Sequence, residues 1–236
     1  MRIGQRAATR DLELGVLGAA CRRRRRLRDD SGTLRLEPLH GTKEVEPAEY
    51  DEAARIVTDA LLDDPGWRAV GPDRTGHRRR VALRYHRAAI GVTHRHGRPI
   101  YGAYRDGALA GVAVTFGAGR YPPPGRTFFS YVPSFLSAGP APIVRGLRTM
   151  TVQDRGHPKE EHVFLWFLAV NPPHQRGGVG RALLQRVFED AEAPVYLDTA
   201  NPANVPYYAG FGFEGIGRAP LPRGATMWFM RRPPQL

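Results

Sequence analysis

Residues 163–188 narrow the fold more than any other stretch of the chain. Val163–Val170 is an unbroken apolar run, the next residues include His174-Gln175-Arg176-Gly177-Gly178-Val179-Gly180-Arg181, and Ala182–Phe188 places apolar side chains at helical spacing. A buried strand therefore feeds a glycine-rich turn, and the turn opens a helix over Gly180–Ala193. A further strand, Pro194–Ala200, follows. Strand, helix and strand in that order set two parallel strands side by side, so the chain reads as α/β with a mixed sheet. Glycines in the turn let backbone N–H groups approach a ligand, and the helix N-terminus adds positive potential. That arrangement suits a phosphate or pyrophosphate.

The remaining elements are compatible with one such sheet. Thr33–Leu39 alternates apolar and polar residues as a half-buried strand does. Ala48–Leu62 and Arg78–Val92 carry helical spacing, with Pro65-Gly66 closing the first. Pro99–Tyr104 and Ala108–Phe116 flank Arg105-Asp106-Gly107, a hairpin signal. Phe128–Met150 reads as helical pieces broken by Gly139-Pro140 and Pro142. Ala203–Gly210 is a short helix, and Phe213–Gly217 and Thr226–Arg231 are the last strands. The chain shows no internal repeat.

The net charge of +12 is almost entirely arginine, since Lys43 and Lys159 are the only lysines. Part of it sits in residues 1–32, where Arg22–Arg26 is an unbroken run. We read 1–32 as a basic leader and 33–236 as the folded domain. A basic domain suits an anionic ligand. No aromatic residue interleaves the arginine run to support base stacking, which argues against nucleic acid. No apolar run approaches the roughly 20 residues of a membrane-spanning helix. A single cysteine, Cys21, excludes an internal disulfide and fits a reducing, cytoplasmic setting.

Two nucleotide motifs fail on specific residues. A dinucleotide loop needs Gly-x-Gly-x-x-Gly after an early strand, and a phosphate-binding Walker loop needs Gly-Lys-Ser/Thr. Neither occurs here. His94 and His96 lack a third ligand at suitable spacing, so no metal site is expected.

A second cluster, Asn201-Pro202-Ala203-Asn204-Val205-Pro206-Tyr207-Tyr208-Ala209-Gly210-Phe211-Gly212-Phe213, lies one strand downstream. With Gln175-x-x-Gly178-x-Gly180, it gives the chain a close resemblance to the GCN5-related N-acetyltransferases (GNAT). That family has a Gln/Arg-x-x-Gly-x-Gly/Ala loop after its fourth strand. An Asn…Tyr-x-x-x-Gly-Phe segment, matched by Asn204, Tyr208, Gly212 and Phe213, follows its fifth. Within the family, His157–Glu160, Phe167–Val170 and Tyr196–Thr199 look most like puromycin-type enzymes acting on small amines. The resemblance implies the GNAT fold: a mixed sheet of six to seven strands flanked by helices, its fourth and fifth strands splayed.

The resemblance also implies a donor and a site. Acetyl-CoA would be the co-substrate, its pyrophosphate held by backbone N–H groups of Arg176, Gly177, Gly178, Val179, Gly180 and Arg181, with Gln175 in the same loop. Arg176 and Arg181 would add charge-assisted bonds. The pantetheine arm would pair with the backbone of Leu168, Ala169 and Val170, and Asn204 would hydrogen-bond it. Tyr208 is the candidate acid for the departing thiolate, favoured over Tyr207 by its spacing to Gly212-Phe213. A backbone N–H near Val170 would meet the oxyanion.

The general base stays open between Asp198, Glu161 and a water chain. Phe128, Phe129, Tyr131 and Phe135 pack in the core or wall an acceptor pocket. No cysteine lies near the motifs, so transfer is expected to be direct, in a ternary complex, to a primary amine of a small molecule. A homodimer is compatible with the family. Competing readings are a protein N-acetyltransferase and a non-catalytic acyl-CoA-sensing or RNA-associated module.

Overall fold

The computed structural model describes residues 41–97 and 99–234, together with the backbone of 27–28 and 34–35. The chain divides into two units, Met1–Glu37 and Pro38–Leu236. In the first, Leu27–Arg28 pairs antiparallel with Leu34–Arg35. The rest of the strand expected over Thr33–Leu39 lies outside the described residues, as does nearly all of the expected leader.

The second unit is built on a seven-stranded sheet, within the expected range. Its strands are β1 (Thr42–Glu44), β2 (Tyr101–Arg105), β3 (Ala108–Phe116), β4 (Val163–Val170), β5 (Val195–Thr199), β6 (Glu214–Pro220) and β7 (Thr226–Arg232). They lie in the order β1-β2-β3-β4-β5-β7-β6, and only the β4–β5 pair is parallel. Asp106 (φ 52°) and Gly107 (φ 75°) both take left-handed conformations, which matches the twist of the β2–β3 hairpin.

Helices α1 (Tyr50–Leu61) and α3 (Thr75–His96) cover one face of the sheet, and α6 (Val179–Glu189) covers the other. Residues of β3 divide between the two, with Ala110 an extra residue in the β2–β3 register that breaks strict alternation. Val112 and Val114 join Ala53, Ile56, Val57 and Ile90, while Ala110 and Ala113 meet Leu183 and Leu184. Each fully buried Val, Leu or Ile among these contributes about 1.5–3 kcal/mol, and each Ala methyl about 0.8 kcal/mol. Gly111 lets α6 approach closely: a Cβ there would stand 2.8 Å from Val179 Cγ1 and from the Ala169 carbonyl oxygen. This close packing seats the first turn of α6 directly after β4.

The expected splay of β4 and β5 is present and has a visible cause. The two strands pair only at Val163↔Val195 and Phe164↔Tyr196. On the other side of β4, Val114 pairs with Phe167 and Thr115 with Leu165, leaving Trp166 as an extra residue. Such a bulge bends and twists its strand. β4 then stays with β3 to Val170 while β5 stays with β7 to Thr199, and a gap opens between them.

Several boundaries differ from expectation. Pro65-Gly66 opens a helix, α2 (Pro65–Val70), because Asp64 caps it by accepting from the Gly66 N–H at 2.8 Å. The segment after β3 forms a 3₁₀ stretch, Gly125–Tyr131, then α4 (Val132–Ala138) and α5 (Pro140–Gly156). Gly139-Pro140 divides α4 from α5, but Pro142 does not break α5, since it lies in the first turn, where an N–H has no intrahelical acceptor. The short α7 (Asn204–Ala209) follows β5. β1 was not foreseen; three residues with one intermediate and two exposed side chains carry no alternation to read.

Candidate active site

The gap between β4 and β5 leads into two adjoining cavities. One, of about 660 Å³, runs past Leu168, Val170, Gln175, Arg176, Gly178, Val179, Gly180, Arg181, Asn204 and Tyr208. Most of the residues expected to hold the donor thus meet in one groove. Ala169 and Gly177 stand behind it. The Ala169 side chain, 1% exposed, packs on the α1–α3 face, as strand alternation requires between Leu168 and Val170. Gly177 is tied down from below: its carbonyl accepts from Arg105 Nη2 at 2.9 Å.

The glycine loop has the geometry of an anion cradle. Arg176 (φ 60°) and Gly178 (φ 83°) are left-handed and Gly177 between them is not. Alternation of that kind turns successive N–H groups to one side. Gly178 is also the N-cap of α6, so the helix dipole points at the same place. A Cβ at Gly180 would lie 2.8 Å from the Tyr207 hydroxyl, so a larger residue there must push that ring aside. Gln175 Nε2 donates to the Val170 carbonyl at 3.3 Å, and the Arg181 guanidinium lies over the Phe211 ring at 5.1 Å.

Asn204 is held by β5. Its Nδ2 donates to Thr199 Oγ1 at 3.1 Å, which leaves its carbonyl oxygen as the acceptor available to a ligand. The Asn201 N–H donates to the same hydroxyl at 3.3 Å. Tyr208, one helical turn further on, is buried and borders both cavities. Its phenol is held well above the ordinary range, chiefly by burial, with Tyr207, Asp64 and Asp198 acting in the same direction. It is therefore a protonated donor throughout the neutral range.

The second cavity, of about 230 Å³, opens beyond Leu168, Asn204 and Tyr208, which line both. Pro142, Gly146, Thr149, Met150 and Gln153 supply one wall, all from a single face of α5 at helical spacing. Trp67 and Tyr85 meet edge to face at 5.4 Å, and Trp166 stacks on Phe167 at 4.7 Å, to form another. Of the aromatic segment singled out in the sequence, Phe135 lines this cavity and Tyr131 packs in the core, while Phe128 and Phe129 are exposed.

Asp198 reaches into this second cavity because β5 alternation places it on the face of Tyr196, opposite Leu197. Burial pushes its carboxyl up to about 6, opposed by Gln153 Nε2, which approaches both carboxylate oxygens at 3.3 Å. Glu161, the other candidate base, is exposed and borders neither cavity. A second carboxylate, Asp64, lines both; burial raises its pKa, while the Gly66 N–H bond acts against the shift.

Asp64, Gln153, Thr199 and Arg105 escaped the sequence reading. Asp64-Pro65 is a helix-start signal that could have exposed the first. The other three act through contacts over long sequence distances or as ordinary strand residues, and no local pattern marks them. His94 bonds to the Tyr50 hydroxyl at 2.7 Å, and no metal-binding group occurs among the described residues. Nor is any described helix long and apolar enough to cross a membrane.

Residues 67–213 match the acetyltransferase (GNAT) family. Among solved structures, the chain is similar to a histone acetyltransferase HPA2 and related acetyltransferase from Corynebacterium glutamicum, with 20% identity and a TM-score of 0.60 over 83% of this chain and 97% of that one. It is also similar to yncA of Salmonella typhimurium, solved with its cofactor acetyl-CoA, at 16% identity and a TM-score of 0.53, covering 85% and 96% of the two chains. A third likeness is to arylalkylamine N-acetyltransferase 2 from Aedes aegypti, at 11% identity and a TM-score of 0.56, covering 82% and 98%. These likenesses concern the fold. The family match spans well over half of the sequence, and the chain belongs to the acetyltransferase (GNAT) family of enzymes.

Proposed function

We propose that this enzyme transfers the acetyl group of acetyl-CoA directly to the primary amine of a small molecule. The observation that carries this reading is the junction of the two cavities at Leu168, Asn204 and Tyr208, with an anion cradle along one and Asp198 in the other. The donor is held by Gln175 to Arg181, by the edge of β4 and by Asn204, and the amine enters from the α5 side. The looser resemblance to puromycin-type enzymes favours the same acceptor class.

Each residue then has a chemical task. Asp198, ionised above about pH 6, accepts a proton from the bound ammonium. The neutral amine attacks the thioester carbon, and the backbone N–H near Val170 donates to the oxyanion that forms. As the carbon–sulfur bond breaks, Tyr208 gives its proton to the thiolate. The attacking nitrogen loses its second proton through water to the Tyr208 phenolate, which leaves a neutral amide, and bulk water removes the proton on Asp198. The test is a panel of primary amines scored for CoA release. A wild-type rate that vanishes in Asp198→Asn and falls steeply in Tyr208→Phe is expected; full turnover in both variants would overturn these roles.

A further inference from the structure

The two ends of the site differ in charge: cations border the donor groove, and only carboxylates border the acceptor cavity. Arg176 and Arg181 border the donor groove, beside Asp63 and Asp64. Among the described residues, the acceptor cavity has no arginine, lysine or histidine in its lining; its ionisable groups are Asp64, Asp198, Tyr85 and Tyr208. For a chain of net charge +12, this is a local inversion. Two arginines do bond to cavity-lining residues, but they are engaged there. Arg78 donates to the Leu62, Pro72 and Asp73 carbonyls and to the Asp63 carboxylate. Arg145 donates to the Val70 and Gly71 carbonyls.

Ser134, Thr149, Gln153, Thr199 and Asn204 add neutral polar groups, and the remaining wall is apolar, with Trp67, Tyr85, Phe135, Met150, Trp166 and Phe167 around a space of about 230 Å³. That is below the roughly 300–1,000 Å³ of pockets for drug-sized ligands. Flat aromatic walls suit a ring, and the carboxylates suit one cation. A carboxylate on the acceptor would lose its water, meet no cation and face two like charges. A second ammonium further along the acceptor would meet only the rings, whose cation–π attraction offsets part of the hydration it loses.

We propose that the acceptor is a compact, ring-bearing primary amine whose only charge is its ammonium, and that the cavity rejects the corresponding amino acid. This rests on the acetyl-transfer reading above. Asp64 has a separable part in it. Its Oδ1 caps α2, and asparagine caps a helix equally well, so Asp64→Asn removes the charge and keeps the cap.

The experiment uses the full chain with saturating acetyl-CoA and the acceptors tryptamine, phenethylamine, tryptophan, phenylalanine and spermidine. It reads kcat/KM from CoA release, and binding to the CoA-loaded protein by calorimetry. Tryptamine and phenethylamine are expected to exceed their amino acids and spermidine by at least about a hundredfold, since a site that leaves buried polar groups unpaired discriminates strongly. Asp64→Asn is expected to narrow that ratio. Equal or better use of the amino acids, or of spermidine, would overturn the acceptor class while leaving acetyl transfer intact. Selective binding of the aryl amines without any transfer would overturn the acetyl-transfer reading and keep the cavity's selectivity. Absence of both binding and turnover would overturn both.

Discussion

Asp198→Asn should abolish turnover and at the same time stabilise the fold. The carboxyl is raised from its ordinary 3.8 to about 6 by burial. Its proton is therefore bound more tightly in the folded chain than in the unfolded one. The sign follows directly. Below pH 3.8 both states are protonated and no penalty exists; as the pH rises through 6, folding must bear the full penalty of ionising a buried acid. A shift of about two units corresponds to about 3 kcal/mol, and the partial opening of the cavity to solvent reduces this to roughly 1–3 kcal/mol. Asparagine has the same shape, still pairs with Gln153, and carries no charge to desolvate. For a unit of this size, 1 kcal/mol moves Tm by about 2–4 °C, so the variant should melt several degrees above wild type at pH 8. The gain should shrink as the pH is lowered from 8 to 5. Thermal melts of both proteins across that range provide the assay. A variant that is less stable than wild type at pH 8, or a difference independent of pH, would show that Asp198 is a satisfied structural carboxylate and refute the reasoning.

Gln153→Leu removes the donor that favours the ionised form of Asp198, worth about 1.5 kcal/mol and so about one pKa unit. The acid limb of the kcat/KM profile should move from about 6 towards 7 and leave the rate at pH 9 nearly unchanged; an unmoved limb counts against the pair. Tyr208→Phe should lower kcat by about 10²–10⁴-fold with acetyl-CoA affinity close to wild type, and calorimetry separates the two effects. Gly178→Glu should weaken acetyl-CoA binding by placing a carboxylate in the cradle; wild-type affinity would displace the pyrophosphate from this loop. Gly180→Ala should raise the KM for acetyl-CoA because its Cβ crowds the Tyr207 hydroxyl, and the double variant with Tyr207→Phe should recover most of the loss.

The groove to which we assign the donor was legible in the sequence because it is local. Gln175 to Arg181 and Asn204 to Phe213 each form their structure within one turn and helix, so spacing alone preserves their geometry. The acceptor half was not, for reasons visible in particular residues. Gln153 reaches Asp198 across 45 positions of sequence. Trp67 belongs to α2, a helix hidden because Pro65-Gly66 serves equally well as a terminator and, after a capping aspartate, as a start. Trp166 reads as one more apolar strand residue, and only the register against β3 reveals the bulge that splays the sheet. Asp198 was recognised as a candidate, but not its environment, which is assembled from α2, α3, α5 and β4.

Initial velocities with acetyl-CoA and tryptamine varied together test the central claim most directly. Direct transfer at the junction of the two cavities predicts double-reciprocal lines that intersect, with one acetylated amine formed per CoA released. Parallel lines, or CoA released without acetylated amine, would contradict it.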